Sequence, residues 1–309
     1  MSRPSVAYLI ASHTLPEQVL RLAGALRAGS PGAPIVLHHD SRRTRVDAPA
    51  LRALDVELIE PPSAAEWAEA SQLAMVLRCL RFALERLDFD WLVLLSGQDY
   101  PIRPLAAVEQ DLGAAGCDGF VEAQPCPRPR LGARVDEFAG RYHFRWFHPR
   151  WSGAAALARR AARGGRLLRA RALPSGQWVG VRALRSPFGA QLECRRGSDW
   201  MTLSRRAVSA VESFRGRCPE VEAYYRRTLH PTESFVQTAL ANDGSIRLSG
   251  DTRRYMAWDE RRSGPRILRG GDLAAMLASG CDFARKFDAS VDAGVLDELD
   301  RRLRPAGGG

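Results

Sequence analysis

Few residues in this chain are of types that do chemistry, and their settings differ. His38, His39 and Asp40 run consecutively, a set that could ligate a divalent metal. On an extended strand, however, neighbouring side chains point to opposite faces, which makes joint ligation awkward. Glu233 follows Pro231 and Thr232, and Thr232 fits as the N-cap of a helix over residues 233–240. An acid in that first turn complements the helix macrodipole, a purely structural use; general-base catalysis is the other. Lys286 is the single lysine among 45 basic residues. A compact ammonium acts differently from a planar guanidinium at a phosphate group, which sets this position apart. The six cysteines, Cys79, Cys117, Cys126, Cys194, Cys218 and Cys281, are scattered with no C-x-x-C pair. They read as reduced, mostly buried thiols rather than as a zinc or redox site.

The elements that must position these groups are clearest in the first third, where short apolar runs alternate with segments of helical period. That is the signature of a parallel sheet covered by helices. Residues 6–11 predict a first strand; Thr14 and Glu17 have capping-box spacing, and Val19, Leu22, Ala23 and Leu26 form one apolar helix face. Residues 35–37 and 56–59 read as the next strands. Leu73, Val76, Leu77, Leu80, Leu84 and Leu87 keep helical period up to residues 91–95, a continuous apolar run expected of a strand buried on both faces. This is a doubly wound α/β pattern, in which ligands bind at the carboxyl ends of the strands. The residues just beyond those ends are polar: Ser12 and His13, then His38 to Asp40, then Ser96, Gly97, Gln98 and Asp99. Between about Pro125 and Pro187 the pattern weakens. Residues 159–171 place arginines among alanines and leucines and read as a basic amphipathic helix, with either a solvated face or an anionic contact. Residues 305–309 read as a disordered tail.

The chain has 309 residues, 45% of them hydrophobic and 26% charged, enough apolar material for a sizeable core. Its formal charge of +10 suits nucleic acid, an anionic membrane surface or a phosphorylated small molecule, and does not choose among them. No run approaches the roughly 18 apolar residues of a membrane span. The start lacks the pattern of a signal peptide, so an intracellular protein is expected.

Four segments form an ordered pattern. They are Leu94-Leu95-Ser96-Gly97-Gln98-Asp99-Tyr100-Pro101-Ile102-Arg103, Gly197-Ser198-Asp199-Trp200 with Leu203-Ser204-Arg205, Pro231-Thr232-Glu233-Ser234-Phe235, and Phe283-Ala284-Arg285-Lys286-Phe287-Asp288. In this order and at these separations the chain resembles the core-2/I-branching N-acetylglucosaminyltransferase and peptide O-xylosyltransferase family, glycosyltransferase family 14. The resemblance runs from Val6 to about Leu303, and Arg103, Gly197 to Trp200 and Phe283 to Phe287 are nearer to its xylosyltransferase branch. It implies a GT-A type fold in one domain over residues 1–304, with a nucleotide-binding half (1–124) and an acceptor and catalytic half (125–304). It also implies inverting transfer of N-acetylglucosamine or xylose from a UDP donor to a hydroxyl of a glycan, peptide or small molecule, with no metal and no other cofactor.

The resemblance makes Glu233 the general base. Most GT-A enzymes hold the diphosphate through a metal on an Asp-x-Asp motif at the end of a strand, but the literal match Asp88-Phe89-Asp90 precedes residues 91–95, the wrong end. The core-2 enzymes use basic side chains instead, and the lysine of their Phe-Ala-x-Lys-Phe motif matches Lys286. An ammonium there would stabilise the departing diphosphate as a metal does. Arg285 is a second UDP-binding candidate or a salt-bridge residue, and Arg262 or Arg266 supplies an expected upstream cation. Asp99 matches an acidic position near the nucleotide, and His38 and Asp40, with His13, lie where uridine contacts are described in relatives. Asp199 and Trp200 are expected to border a sugar and Trp258 the acceptor, with core packing the alternative for both tryptophans. Animal members carry a signal anchor and stem, not seen here, so a bacterial-type cytoplasmic member is expected, with a peripheral membrane contact left open. Two other functions are weighed. One is a basic nucleic-acid-binding protein, for which no binding motif is present; the other is an inactive nucleotide-sugar-binding module, against which the retention of both Glu233 and Lys286 stands.

Overall fold

Apolar runs at residues 6–12, 35–39 and 91–96 can satisfy their backbones and bury both faces only in the middle of a sheet. The computed structural model, which describes residues 3–130, 133–149, 167–259 and 264–303, sets them side by side. In chain order the strands are β1 (Val6–Ser12), β2 (Ile35–His39), β3 (Val56–Leu58), β4 (Trp91–Ser96), β5 (Asp99–Pro101), β6 (Gly119–Phe120), β7 (Gln124–Pro125) and β8 (Phe144–Phe147). They continue with β9 (Leu168–Leu173), β10 (Gly176–Arg182), β11 (Arg195–Arg196), β12 (Thr202–Ser204), β13 (Leu248–Ser249), β14 (Arg254–Met256) and β15 (Phe283–Arg285). The main sheet has the order β13-β6-β12-β4-β1-β2-β3. Strands β4, β1, β2 and β3 are parallel, whereas β12 is antiparallel to both β4 and β6. Smaller sheets are β14-β15-β5, β8-β10-β9 and the pair β11-β7.

Side chains alternate across the main sheet with period two and so divide the core. Ala7, Leu9, Leu92 and Leu94 face one layer, packed with helices Ala70–Arg86, Arg205–Arg217 and Phe235–Ala241. Val6, Tyr8, Ile10, Val93 and Leu95 face the other, packed with helices Pro16–Gly29, Leu105–Gly113 and Ala293–Leu303. Phe283, Phe287 and Leu296 belong to this second layer, so the end of the chain packs beside its beginning. The α/β architecture expected from the sequence, a mixed sheet flanked by helices, is the one present.

Three local expectations are corrected. Thr14 and Glu17 form no capping box: the helix starts at Pro16 after a left-handed Leu15, with no side-chain cap. Proline has no N–H to satisfy and its fixed φ suits a first helical position, so it sets the start. His38 and His39 belong to β2 rather than to the loop after it. Within 159–171, the last residues form strand β9 instead of a helix, and Leu168-Arg169-Ala170-Arg171 alternates with period two as a strand paired to β10 does. The remaining arginines there, Arg262 and residues 305–309 lie outside the described residues.

The turn after β4 must pass close to helix Pro16–Gly29. A Cβ on Gly97 would lie 2.7 Å from Val19 Cγ2 and 3.0 Å from Ser12 Cβ. Both neighbours are buried, and valine is stiff at χ1. Gly97→Ala is therefore expected to destabilise the fold by about 1–3 kcal/mol, as overpacking does. Denaturant unfolding measures this, and an unchanged midpoint would show that the helix yields freely.

Candidate active site

The carboxyl ends of β4, β1 and β2 lie together, with Ser12 opposite His39 and Ala11 opposite Ser96. His38 and His39 reach different partners, as adjacent strand residues must. His38 Nε2 lies 2.9 Å from the Ser63 hydroxyl, and burial, reinforced by Arg78, lowers its pKa and keeps it neutral. His39 is used up structurally: Nε2–H donates to the Thr44 carbonyl at 2.8 Å, and Nδ1 accepts from the Ser12 hydroxyl at 2.8 Å. Asp40 accepts from Arg42 at 2.9 and 2.5 Å and from the Ala65 N–H at 3.2 Å, and the Arg42 bonds hold its carboxyl well below the usual range. Asp40 thus fixes Arg42 and the neighbouring loop. His13 stands exposed at the rim; loss of solvent lowers its pKa first, then Arg43, with Asp40 opposing and His39 and Lys286 adding.

Strand β15 carries the cationic motif to this rim. Gln18, a buried polar residue on the helix Pro16–Gly29, donates to the carbonyls of Gly97 (3.0 Å) and Phe287 (3.1 Å) and accepts from the Ala289 N–H (2.8 Å). One side chain thereby fastens the loop after β4 to the loop after β15. Between those anchors, Lys286 is half-buried and has no carboxylate within 4.0 Å among the described residues. Burial depresses its pKa, Arg285 depresses it further, and Asp288 opposes both. Arg285 has a different setting: its Nε lies 3.2 Å from the fully buried Asp99 and its guanidinium stacks 4.2 Å above the Trp200 ring. Asp99 also accepts the Ser96 N–H, so it is an anchor for Arg285 and the turn rather than an open ligand group. Arg266 is gripped by both carboxylate oxygens of Asp272. Two residues further on, the Leu268 N–H donates to the Lys286 carbonyl at 2.8 Å. Trp258 lies two residues beyond β14, the parallel partner of β15, and is 63% exposed.

Glu233 ends a short 3-10 turn, Pro231–Glu233, and helix Phe235–Ala241 starts after it. Thr232 is therefore not an N-cap, and the expected helix over 233–240 begins two residues later. Glu233 Oε2 accepts from Arg141 at 2.5 Å, and Oε1 lies 3.2 Å from His230 Nδ1. Burial would raise its pKa, but His230 and Arg141 outweigh this and lower it. Asp199 lies against Glu233. Burial first, and then the charge of Glu233, push its carboxyl up to about 7, while Thr232, Arg285 and Arg141 pull it down. Gly197 makes this approach possible: its N–H donates to the Glu233 carbonyl at 2.8 Å, and a Cβ there would sit 1.8 Å from the Glu122 carbonyl oxygen. Gln237 adds a bond to the Ser198 carbonyl at 2.7 Å. The structure thus brings Glu233, Asp199, Arg285 and Trp200 together, while Lys286, next in the chain after Arg285, lies where His13 feels its charge. Asp88-Phe89-Asp90 lies before β4, at the opposite end, where Asp90 accepts the Ser5 N–H.

The sequence pattern of the core-2/I-branching enzymes matches residues 7–144 and 165–277, most of the chain. The chain belongs to this family. It is accordingly a glycosyltransferase, acting on a nucleotide-sugar donor and an acceptor. No curated protein matches it. Among solved structures it is similar to an active-site mutant of LgtC, at 11% identity over 98% of each chain with a TM-score of 0.41. It is also similar to mouse xyloside xylosyltransferase 1 in its apo form, at 9% identity over 91% of this chain and 97% of the other, TM-score 0.38.

In this branching-enzyme family member the residues that sequence reasoning missed are Arg141, His230 and Gln18. Arg141 and His230 fall in no motif, and Arg141 lies where periodicity is weak. Gln18 did carry a signal, a polar residue on the buried stripe of Val19, Leu22 and Leu26. Among the described residues no helix is long and apolar enough to cross a membrane. The carboxylate pair has a testable titration. A carboxyl group losing its proton near pH 7 is expected in infrared difference spectra, absent in Asp199→Asn. In Glu233→Gln it moves to lower pH, because a neighbouring negative charge has gone; an unmoved transition there would separate the two side chains.

Proposed function

We propose that this glycosyltransferase moves N-acetylglucosamine or xylose from a UDP donor to a hydroxyl acceptor, with inversion and without a catalytic metal. The observation that carries the reading is the half-buried ammonium of Lys286, with no carboxylate within 4.0 Å among the described residues, one residue from the arginine whose charge reaches Asp199 beside Glu233. In one displacement the acceptor oxygen bonds to the anomeric carbon as the bond from that carbon to the β-phosphate oxygen breaks. The acceptor proton goes to the carboxylate pair, and the electron pair leaves with UDP.

Glu233 is the member that reaches solvent, its side chain 27% exposed, so it meets the acceptor hydroxyl. Asp199, buried behind it, shares the proton, and the pair titrates as a unit. With Asp199 raised to about 7, a base strong enough for the task is reached near neutrality. Lys286 offers its charge to the departing diphosphate, where a preorganised cation in a dehydrated site acts most strongly. Arg285 already balances Asp99, so its part is to hold Trp200 and Asp199 in place. His13 and the loop fixed by Asp40 and Arg42 border the nucleotide, and Trp258 offers a face to the acceptor.

Glu233→Gln is expected to lower turnover roughly 100-fold or more while leaving UDP affinity nearly intact, the scale of a lost general base. A variant keeping most of its activity removes Glu233 from the mechanism. Activity of the native enzyme rises with pH through about 7, as the pair gives up its shared proton, and Asp199→Asn abolishes that step. Lys286→Ala weakens UDP binding in calorimetry. Initial rates are unchanged on adding EDTA and are not raised by manganese; loss in chelator rescued by manganese overturns the metal-free reading. Salt-sensitive DNA binding with no response to UDP would point to the nucleic-acid alternative.

A further inference from the structure

Three ligand-type side chains far apart in the sequence meet behind the turn that carries Glu233. Cys126, just past β7, and Cys194, just before β11, extend that antiparallel pair, the Cys126 N–H donating to the Cys194 carbonyl at 2.8 Å. His143 caps the end of helix Glu137–Tyr142, its N–H bonded to the Ala139 carbonyl. A ring nitrogen of His143 and the two sulfurs all lie within 4.8 Å of one another, and all three residues are buried. Among the described residues this is the one group of its kind.

The imidazole is oriented as a ligand would be. His143 Nε2 lies 2.9 Å from the Cys126 carbonyl oxygen, so this nitrogen carries the proton and donates. The lone pair is left on Nδ1, which is buried without a hydrogen-bond partner. Fixing one ring nitrogen on a backbone carbonyl while baring the other is the usual way a protein presents a metal-binding histidine. The Cys194 sulfur is not surrounded by apolar groups alone: the Ser234 and Tyr225 hydroxyls lie 3.7 and 4.0 Å from it.

We propose that Cys126, His143 and Cys194 bind a structural Zn2+ ion through two thiolates and one imidazole nitrogen, with the fourth position open to the Ser234 or Tyr225 hydroxyl. Two sulfurs and an imidazole suit this soft-to-borderline ion and disfavour magnesium and calcium. Binding displaces the thiol protons to solvent. The ion would brace a network already present: the Arg195 carbonyl accepts from Ser234 at 2.5 Å and from Thr238 at 3.3 Å, and Tyr225 bonds both hydroxyls. Ser234 follows Glu233, and Arg195 begins the strand leading to Gly197 and Asp199. The metal therefore holds the two backbones that present the carboxylate pair, and takes no part in the transfer itself. A sequence without C-x-x-C spacing hides it, because strand pairing rather than local spacing brings the ligands together.

The test uses the whole reduced protein and does not depend on activity. After desalting from zinc-containing buffer, elemental analysis is expected to give one zinc per chain, and zinc to raise the melting temperature. Cobalt in its place gives a thiolate-to-cobalt charge-transfer band. The double variant Cys126→Ser with Cys194→Ser loses zinc and band, whereas Cys281→Ser keeps both. If the double variant does not fold, the cobalt band of the native protein decides. No retained metal and no band in the native protein, a band that survives the double variant, or a Cys126–Cys194 disulfide found by peptide mapping of protein prepared with zinc would each overturn the proposal. None of these outcomes bears on the Glu233 reading, which is judged by turnover.

Discussion

Largely buried charges form a chain through this molecule, opposite in sign at every link except the one between Glu233 and Asp199, and the site depends on that compensation. From Arg141 the chain runs to Glu233, Asp199, Arg285, Asp99 and Arg254, then to Asp282 with Arg103 and Arg253. An isolated charge taken from water costs several kcal/mol, and removing one partner of a buried pair leaves the other uncompensated. Each member therefore has at least one opposite charge beside it. Arg254, wholly buried, has its pKa lowered by that burial while Asp99 and Asp282 oppose the shift. It also donates to the Leu94 carbonyl at 3.2 Å and covers the Phe283 ring at 4.8 Å, joining the main sheet to the small one. Two places are out of balance, one in this chain of charges and one beside it. At Asp199 negative charge is in excess, which is why a proton is retained there; at Lys286, next to Arg285, positive charge is in excess. A reaction that takes up a proton and releases an anion needs one excess of each kind.

The division of labour between arginine and lysine follows from their shapes. Arginine serves wherever a planar group must satisfy several partners at once: Arg285 between Asp99 and Trp200, Arg266 on both oxygens of Asp272, Arg27 across four backbone carbonyls at 3.0 Å or less. Lys286, lacking such a fork, leaves its charge available.

The parallel core was readable because strongly periodic segments have few alternatives: strands β1, β2 and β4 and the helix faces of Val19, Leu22 and Leu26 appear where apolar spacing puts them. Boundaries were less readable. Thr14 and Thr232 both look like caps, yet in each case a proline governs the local backbone, Pro16 starting the helix directly and Pro231 forming a 3-10 turn first. In the site, the motifs pointed to Glu233, Asp199, Trp200 and Lys286 but not to what surrounds them. The partners Arg141 and His230 act through three-dimensional proximity alone. For Arg285 the sequence left a UDP contact and a salt bridge open, and the structure shows the salt bridge, to the fully buried Asp99. Nor could the sequence show that one hydroxyl and one carbonyl saturate His39, an arrangement that depends on β1 lying beside β2.

Why segments so far apart converge follows from one reversal in the main sheet. Strand β4 is parallel to β1 but antiparallel to β12, with Thr202 opposite Val93 and Ser204 opposite Trp91. The residues before β12 must therefore emerge at the carboxyl end of β4, and the Leu94 N–H duly donates to the Met201 carbonyl at 3.0 Å. Had β12 run parallel, Asp199 and Trp200 would lie at the far edge, beside Asp90. Antiparallel entry instead delivers them to the end where Ser96, Gln98 and Ser12 already stand. Strand β15 does the same from the second small sheet: it pairs antiparallel with β5, placing Arg285 opposite Asp99. The chain then carries Lys286 past the carboxyl end of β4, where the Phe287 N–H meets the Gln98 carbonyl at 2.9 Å. One reversed strand in the main sheet and one antiparallel pairing in the small sheet thus bring a carboxylate and a cationic segment toward one sheet end, and strand direction, which hydrophobic pattern does not encode, decides where these residues lie.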